Sequence, residues 1–166
     1  MRSASSACFP DAPRRYLSLL SLFCLRSADF HTLAWRKLLI NTVANPVTAL
    51  TSQRQAVFRR NDVEAACLAI LEEAAAVVRA DGAQLVADEP AQILTTLLTY
   101  PADAGTSMYF DRLAGRPFEV EALTGAIVAI GRQHGLPTPL NGLILGLLRA
   151  LSEAATRNRP CDLLLT

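Results

Sequence analysis

Three polar residues spaced one helical turn apart are the part of this sequence best suited to chemistry. Lys37, Asn41 and Asn45 alternate with the apolar residues 38–40 and 43–44. At about 100° per residue, side chains four apart fall on one stripe of a helix. A lysine can donate a proton to a developing alkoxide, and a carboxamide both donates and accepts hydrogen bonds. Burial of such a stripe is costly unless something polar faces it. The stripe therefore binds a ligand, or it faces solvent or is satisfied by other side chains.

Two further blocks accompany this stripe. The stripe itself lies in the stretch W-R-K-L-L-I-N-T-V-A-N-P at 35–46. The second block is T-S-M-Y-F-D at 106–111, followed by G-R-P-F-E-V-E at 115–121. The third is H-G-L-P-T-P-L-N at 134–141. In this order the blocks resemble the C-terminal, substrate-binding domain of the ketopantoate reductases (2-dehydropantoate 2-reductases). That family has W-x-K-x-x-x-N-x-x-x-N-P, then S-S-M-x-x-D with G-R-x-T-E-I-D, then H-G-x-x-x-P-x-N. The resemblance covers roughly residues 30 to 152.

The resemblance implies a role for each matched residue. Lys37 would be the proton donor, while Asn41 and Asn45 would hydrogen-bond the hydroxyl and acid groups of a 2-keto acid. Ser107 would contact the substrate carboxylate. Glu119 would help to bind NADPH and to order the site near the lysine. Each residue also has a structural interpretation: a surface lysine, a residue before proline, a helix cap, or an acid favoured in the first turn of a helix.

One position departs from the family. Ketopantoate reductases have an asparagine in the loop that follows the N-P step. Here that loop has no asparagine before Asn61, so no role is transferred to it.

The glycines bear on the cofactor. A dinucleotide-binding fold carries G-x-G-x-x-G after its first strand, but the eight glycines of this chain form no G-x-G pair. The resemblance, taken with this absence, implies the substrate half of an NADPH-dependent oxidoreductase that converts 2-dehydropantoate to pantoate in pantothenate and coenzyme A synthesis. We expect it to be a fragment, a split subunit or a degenerate gene product, inactive unless a Rossmann domain, for example on a separate chain, completes it. The alternative is a non-enzymatic helical module for binding or dimerisation, and a homodimer fits either hypothesis.

Periodicity and capping signals predict an all-α fold of six or seven helices. Asp29 is suited to cap a first helix that ends near Asn45, because Pro46 lacks an amide donor. Asn61 and Glu64 match a capping box, residues 51–60 are expected to form a loop, and Thr106 should cap a short helix. We expect a divergent or irregular segment 1–28, a helical domain 29–156 and a tail 157–166. The resemblance implies the fold of the 6-phosphogluconate dehydrogenase C-terminal domain.

The amino-acid composition restricts the class of protein and the kinds of site to be expected. A chain of 166 residues with 51% hydrophobic residues and a net charge of +1 indicates a globular domain without a nucleic-acid footprint. Four scattered cysteines and two histidines predict neither disulfides nor a metal site. These features favour the cytoplasm. Two arginines before the apolar residues 16–25 resemble a signal peptide and keep secretion open as an alternative.

Overall fold

The computed structural model describes residues 15–157, with side chains from residue 30 onward. This part of the chain is all-α and contains no strand, which confirms the predicted fold class. It comprises α1 (Arg15–Thr51), α2 (Asn61–Ala80), α3 (Glu89–Thr99), α4 (Ser107–Leu113), α5 (Ala126–Gln133) and α6 (Pro139–Arg157), with a 3₁₀ turn (Gln55–Arg59) and a π turn (Glu121–Gly125). Residues 1–14 of the segment expected at 1–28, and residues 158–166 of the expected tail, lie outside the described residues.

The first helix is longer than predicted in both directions. It starts at Arg15 rather than Asp29, and it continues through Pro46 to Thr51. Beyond the proline, Ala49 is fully buried. The Thr48 hydroxyl donates to the Ala44 carbonyl at 2.8 Å in the turn that the proline interrupts. Packing of this last part of α1 outweighs the cost of an internal proline, about 3 kcal/mol.

Helix α2 forms the centre of the core. It packs against α1, α3, α5 and α6, and Leu71, Ala74 and Val78 on its inner face are fully buried. Its small alanines let the neighbouring helices approach closely. Burial raises the pKa of the Cys67 thiol to about 12, so this cysteine is a structural residue rather than a nucleophile.

Glu73 on α2 holds the start of α6. Its carboxylate accepts hydrogen bonds from the backbone N–H groups of Leu140 (3.0 Å) and Asn141 (2.8 Å) and from Asn141 Nδ2 (2.8 Å). Asn141 Nδ2 also lies 3.3 Å from the Ile70 carbonyl. These contacts satisfy amides that a helix start leaves without partners. The last residue of the H-G-L-P-T-P-L-N block therefore has a structural role.

Of the other helix ends that the sequence predicted, one is confirmed and one is wrong. Thr106 caps α4 by accepting the Tyr109 N–H at 3.1 Å, as predicted. The capping box is wrong: Asn61 is the first residue of α2, and the cap position belongs to Arg60, which makes no side-chain cap bond. The loop predicted at 51–60 contains the 3₁₀ turn, whose Val57 and Phe58 are buried in the core.

No helix in the described range is long and apolar enough to cross a membrane. No cluster of histidine, cysteine and acidic side chains suited to a metal ion occurs in that range either.

Candidate functional site

A small open pocket of about 210 Å³ lies where the second half of α1 meets the 3₁₀ turn and the start of α4. Its walls carry hydroxyl and carboxamide groups beside a few apolar side chains. They are formed by Ile40, Asn41, Ala44, Asn45, Gln55, Tyr100, Thr106 and Ser107. The fold thus brings Ser107 of α4, which is distant in the chain, next to Asn41 and Asn45 of α1.

The polar stripe of α1 runs from the surface into the protein. Lys37 is exposed, Asn41 is half-buried, and Asn45 is 6% exposed at the pocket. Lys37 does not line the pocket and lies one helical turn outside it. The stripe therefore has a cationic outer end and an amide inner end.

Gln55 is the pocket residue that the sequence did not predict. Only 7% of it is exposed, and its Oε1 atom has no hydrogen-bond partner among the described residues. A buried acceptor without a partner is unusual in a protein, and this one belongs to a residue that lines the pocket. A partial signal was available: the loop in which the family has an asparagine carries two carboxamides here, Gln53 and Gln55. The search for an asparagine missed it.

Two threonines fix Ser107 against α1. The Thr106 and Thr48 hydroxyl oxygens lie 2.7 Å apart, Thr106 accepts the Tyr109 N–H, and Thr48 donates to the Ala44 carbonyl. Each hydroxyl has one proton, so Thr106 donates to Thr48. This series joins the N-terminus of α4 to α1 and places Ser107, the exposed first residue of α4, at the pocket.

Glu119 lies apart from the pocket. It is exposed in the segment that precedes the π turn, and it is not among the lining residues. Two other acids of the matched blocks form ion pairs: Asp111 with Arg116 at 2.7 Å and Glu121 with Arg149 at 2.7 Å. The role of Glu119 stays a prediction.

The pocket wall itself has no ionisable acid or cation. Its polar groups are amides, hydroxyls and a phenol, which recognise hydroxyl and acid groups by hydrogen bonds rather than by charge. Such a wall can orient a small polar ligand. Besides the Tyr100 phenol, a group for proton transfer has to come from outside the wall, and Lys37 is the only lysine in the sequence.

A family model described as "Ketopantoate reductase PanE/ApbA C terminal" matches residues 29–152 of this chain. The chain belongs to this family. Among curated proteins, a 2-dehydropantoate 2-reductase of Mycobacterium tuberculosis is 43% identical over 125 residues, which are 75% of this chain and 42% of that protein. The corresponding enzyme of Caulobacter vibrioides is 35% identical over 122 residues, covering 74% and 42%.

Solved structures show the same likeness. A dimeric ketopantoate reductase of Staphylococcus aureus superposes with a TM-score of 0.71 at 34% identity, covering 75% of this chain and 44% of that chain. A PanE/ApbA family ketopantoate reductase of Ralstonia eutropha gives 0.69 at 30% identity, covering 75% and 42%. The chain therefore spans less than half the length of these relatives and corresponds to their C-terminal, helical domain.

Proposed function

We propose that this chain is the substrate-binding part of an NADPH-dependent ketopantoate reductase, which reduces 2-dehydropantoate to pantoate in pantothenate and coenzyme A synthesis. The observation that carries the proposal is the pocket, in which Asn41, Asn45, Gln55 and Ser107 converge. Its volume of about 210 Å³ is below the roughly 300–1,000 Å³ of pockets for drug-sized molecules and suits a small acid.

The roles follow from the chemistry of each side chain. Asn41 and Asn45 hold the hydroxyl and acid groups of the substrate, and the Ser107 hydroxyl donates to its carboxylate. Lys37, at the outer end of the stripe, donates a proton to the carbonyl oxygen as that oxygen becomes an alkoxide. Gln55 adds a third carboxamide, whose unpaired acceptor suits a substrate hydroxyl.

The cofactor does not fit within this chain. The pocket is too small for a dinucleotide, and the sequence has no glycine loop to hold a pyrophosphate. NADPH would supply a hydride from a Rossmann domain, on the same polypeptide or on a separate chain. The exposed Glu119 is the residue of this domain proposed to meet it. This assignment also favours the cytoplasm, because four scattered cysteines without a disulfide pattern are typical of cytoplasmic proteins.

A binding experiment tests the proposal on the chain as it exists. Reductive methylation with ¹³C-formaldehyde labels one side chain, Lys37, and the α-amino group. Pantoate is then titrated while ¹³C and ¹⁵N signals are followed. We expect shifts at Lys37, at the carboxamides of Asn41, Asn45 and Gln55, and at the Ser107 amide.

The exposed Asn61 serves as the control carboxamide and should not shift. Asn41→Ala should weaken the response, and Asn61→Ala should not change it. Shifts confined to other surfaces, or none at millimolar pantoate, would contradict the assignment of the pocket.

A dimerisation role is the second candidate, and helix α6 favours it. Leu140, Leu143 and Leu147 lie on one face of α6 and are 38%, 63% and 48% exposed, and the Staphylococcus aureus relative is described as dimeric. Light scattering after size exclusion should give a mass near twice 17.9 kDa. Leu143→Gln with Leu147→Gln should give the monomer mass, whereas Leu113→Gln, an equally exposed leucine on α4, should not. A monomeric wild-type chain would remove this candidate.

A further inference from the structure

We infer that Arg54, which does not line the pocket, is the positioning residue that holds the two walls of the pocket together. It keeps Gln55 on one wall and Ser107 on the other turned to the same ligand. The inference rests on the proposed function for the identity of that ligand.

The Arg54 side chain covers two aromatic rings of α4. Its guanidinium carbon lies 5.4 Å from the centre of the Tyr109 ring and 5.9 Å from that of Phe110. The same guanidinium donates a hydrogen bond to the carbonyl of Asp103. A planar cation over aromatic faces is an attractive arrangement. Arg54 therefore attaches its own segment both to α4 and to the loop before α4.

Backbone hydrogen bonds continue the attachment. The Gln55 N–H donates to the Ala104 carbonyl at 3.0 Å, and the Ala56 N–H donates to the Ala102 carbonyl at 2.9 Å. Gly105 lies against the rings so closely that a Cβ atom there would come within 2.7 Å of Tyr109 and 2.9 Å of Phe110. The loop is thus enclosed between the segment 54–56 and the aromatic pair.

The position of the Gln55 carboxamide depends on this attachment. Its Oε1 has no partner among the described residues, so no side-chain hydrogen bond at that atom fixes its direction. Its backbone, placed by Arg54 and by the two amide bonds, fixes it instead. Ser107 follows two residues after Gly105 and lines the same pocket as Gln55. Loss of the Arg54 contacts should let the walls separate without disturbing the core around α2.

The test compares three variants of the complete 166-residue chain. Arg54→Ala removes the stacking and the hydrogen bond, and Arg54→Lys keeps the charge but not the planar fork. Arg59→Ala, at an exposed arginine of the same 3₁₀ turn, is the control. Amide hydrogen exchange is followed residue by residue, and pantoate affinity is measured by NMR titration.

For Arg54→Ala we expect faster exchange at the Gln55 and Ala56 amides, with α2 amides unchanged. The pantoate Kd should rise roughly three- to tenfold, the effect of losing the cation–π contacts to Tyr109 and Phe110 and one hydrogen bond. Arg54→Lys should recover part of both effects, and Arg59→Ala should change neither.

Three outcomes separate the inference from the proposed function. Unchanged amide exchange and unchanged pantoate affinity in Arg54→Ala would overturn the inference. Exchange that becomes as much faster throughout α2 as at Gln55 and Ala56 would also overturn it, because Arg54 would then act on global stability. If the wild-type chain binds no pantoate, the proposed function fails. Exchange at Gln55 and Ala56 then still decides whether Arg54 holds the walls together.

Discussion

Arg36 and Lys37, neighbours on α1, carry the same charge into different surroundings. Arg36 points to α3, where its guanidinium donates two hydrogen bonds, at 2.7 and 3.0 Å, to the carboxylate of Glu89. Lys37 points to the surface at the end of the polar stripe. Since fifteen of the sixteen basic residues are arginines, which do not release a proton in proteins, the one lysine is the basic residue suited to transfer one.

Replacing Lys37 tests that assignment. The chain is fused to the part of the Mycobacterium tuberculosis relative that precedes the matched region, and NADPH oxidation by 2-dehydropantoate is followed. Lys37→Ala should lower kcat by roughly 10²–10⁴-fold, because a positioned general acid is lost. Asn41→Ala and Ser107→Ala should act mainly on KM, because they remove binding present before hydride transfer. A folded Lys37→Ala enzyme with near-normal kcat would exclude the lysine as the acid.

Gln55 should show opposite effects on stability and binding. Gln55→Leu replaces a buried, unpaired acceptor by an apolar side chain of similar size. The free energy of unfolding should rise by about 1 kcal/mol, since a desolvated polar group is removed, while pantoate binding weakens. Urea denaturation and NMR titration give the two values. A stability loss with unchanged binding would show that Gln55 serves the fold.

Glu89 gives the clearest pH dependence. The Arg36 guanidinium holds the pKa of this buried carboxyl below its usual range, and the Val86 N–H acts in the same direction. Since the folded pKa is lowered, the stabilisation is present above the unfolded pKa of about 4.3 and is lost as the pH falls through the folded value. Glu89→Gln should therefore cost about 1–3 kcal/mol at pH 7 and much less near pH 3, measured by urea denaturation at both values.

The ion pair of Glu121 with Arg149 is the matched control. Its carboxylate also accepts two hydrogen bonds from an arginine, at 2.7 and 2.8 Å, but both side chains are exposed. Glu121→Gln should change stability little, because exposed pairs are screened by solvent. Equal losses in the two variants would show that burial of Glu89 does not set its contribution.

At the scale of elements, the junction of α2 and α6 depends on one carboxylate and one amide. Asn141→Ala removes the hydrogen bonds from Nδ2 to Glu73 and to the Ile70 carbonyl. Since the residue is fully buried, we expect a loss of about 1–3 kcal/mol in unfolding free energy. Asn61→Ala, at an exposed carboxamide, should lose much less in the same urea titration. A similar loss in both variants would contradict the structural role of Asn141.

Local signals in the sequence predicted those elements whose ends are decided locally. Thr106 before α4, Pro90 in the first turn of α3 and Gly115 after α4, with φ +60°, act through their own backbone chemistry. The length of α1 and the turn at Gln55 were missed, because they depend on packing between distant segments. The stripe was predictable from helical periodicity, and Ser107 from the resemblance. That Gln55 and Tyr100 complete the pocket was not predictable, because distant segments bring them there.

At the scale of the whole molecule, the chain should not bind NADPH tightly by itself. It covers 42% of its Mycobacterium tuberculosis relative, and a G-x-G pair for the pyrophosphate is absent from its sequence. Isothermal titration at micromolar protein should give no submicromolar Kd. Addition of a Rossmann-domain chain should restore binding if such a partner completes the site. Submicromolar affinity of the chain alone would show that other residues hold the cofactor.

The distance along α1 between the exposed Lys37 and the buried Asn45 restricts how a short ligand can lie. A helix rises about 1.5 Å per residue, so Lys37 and Asn45 stand about 12 Å apart along its axis, farther than pantoate alone extends between both groups. Their ligand can be shared only if the lysine side chain lies along the helix toward Asn41, against the N-terminal tilt of its Cα–Cβ bond. If the proposed substrate binds here, we expect its reacting carbonyl beside Asn41 and the rest of the molecule extending inward to Asn45 and Gln55. On this view, the rise of α1 between Lys37 and Asn45 decides which end of the substrate lies deeper in the pocket.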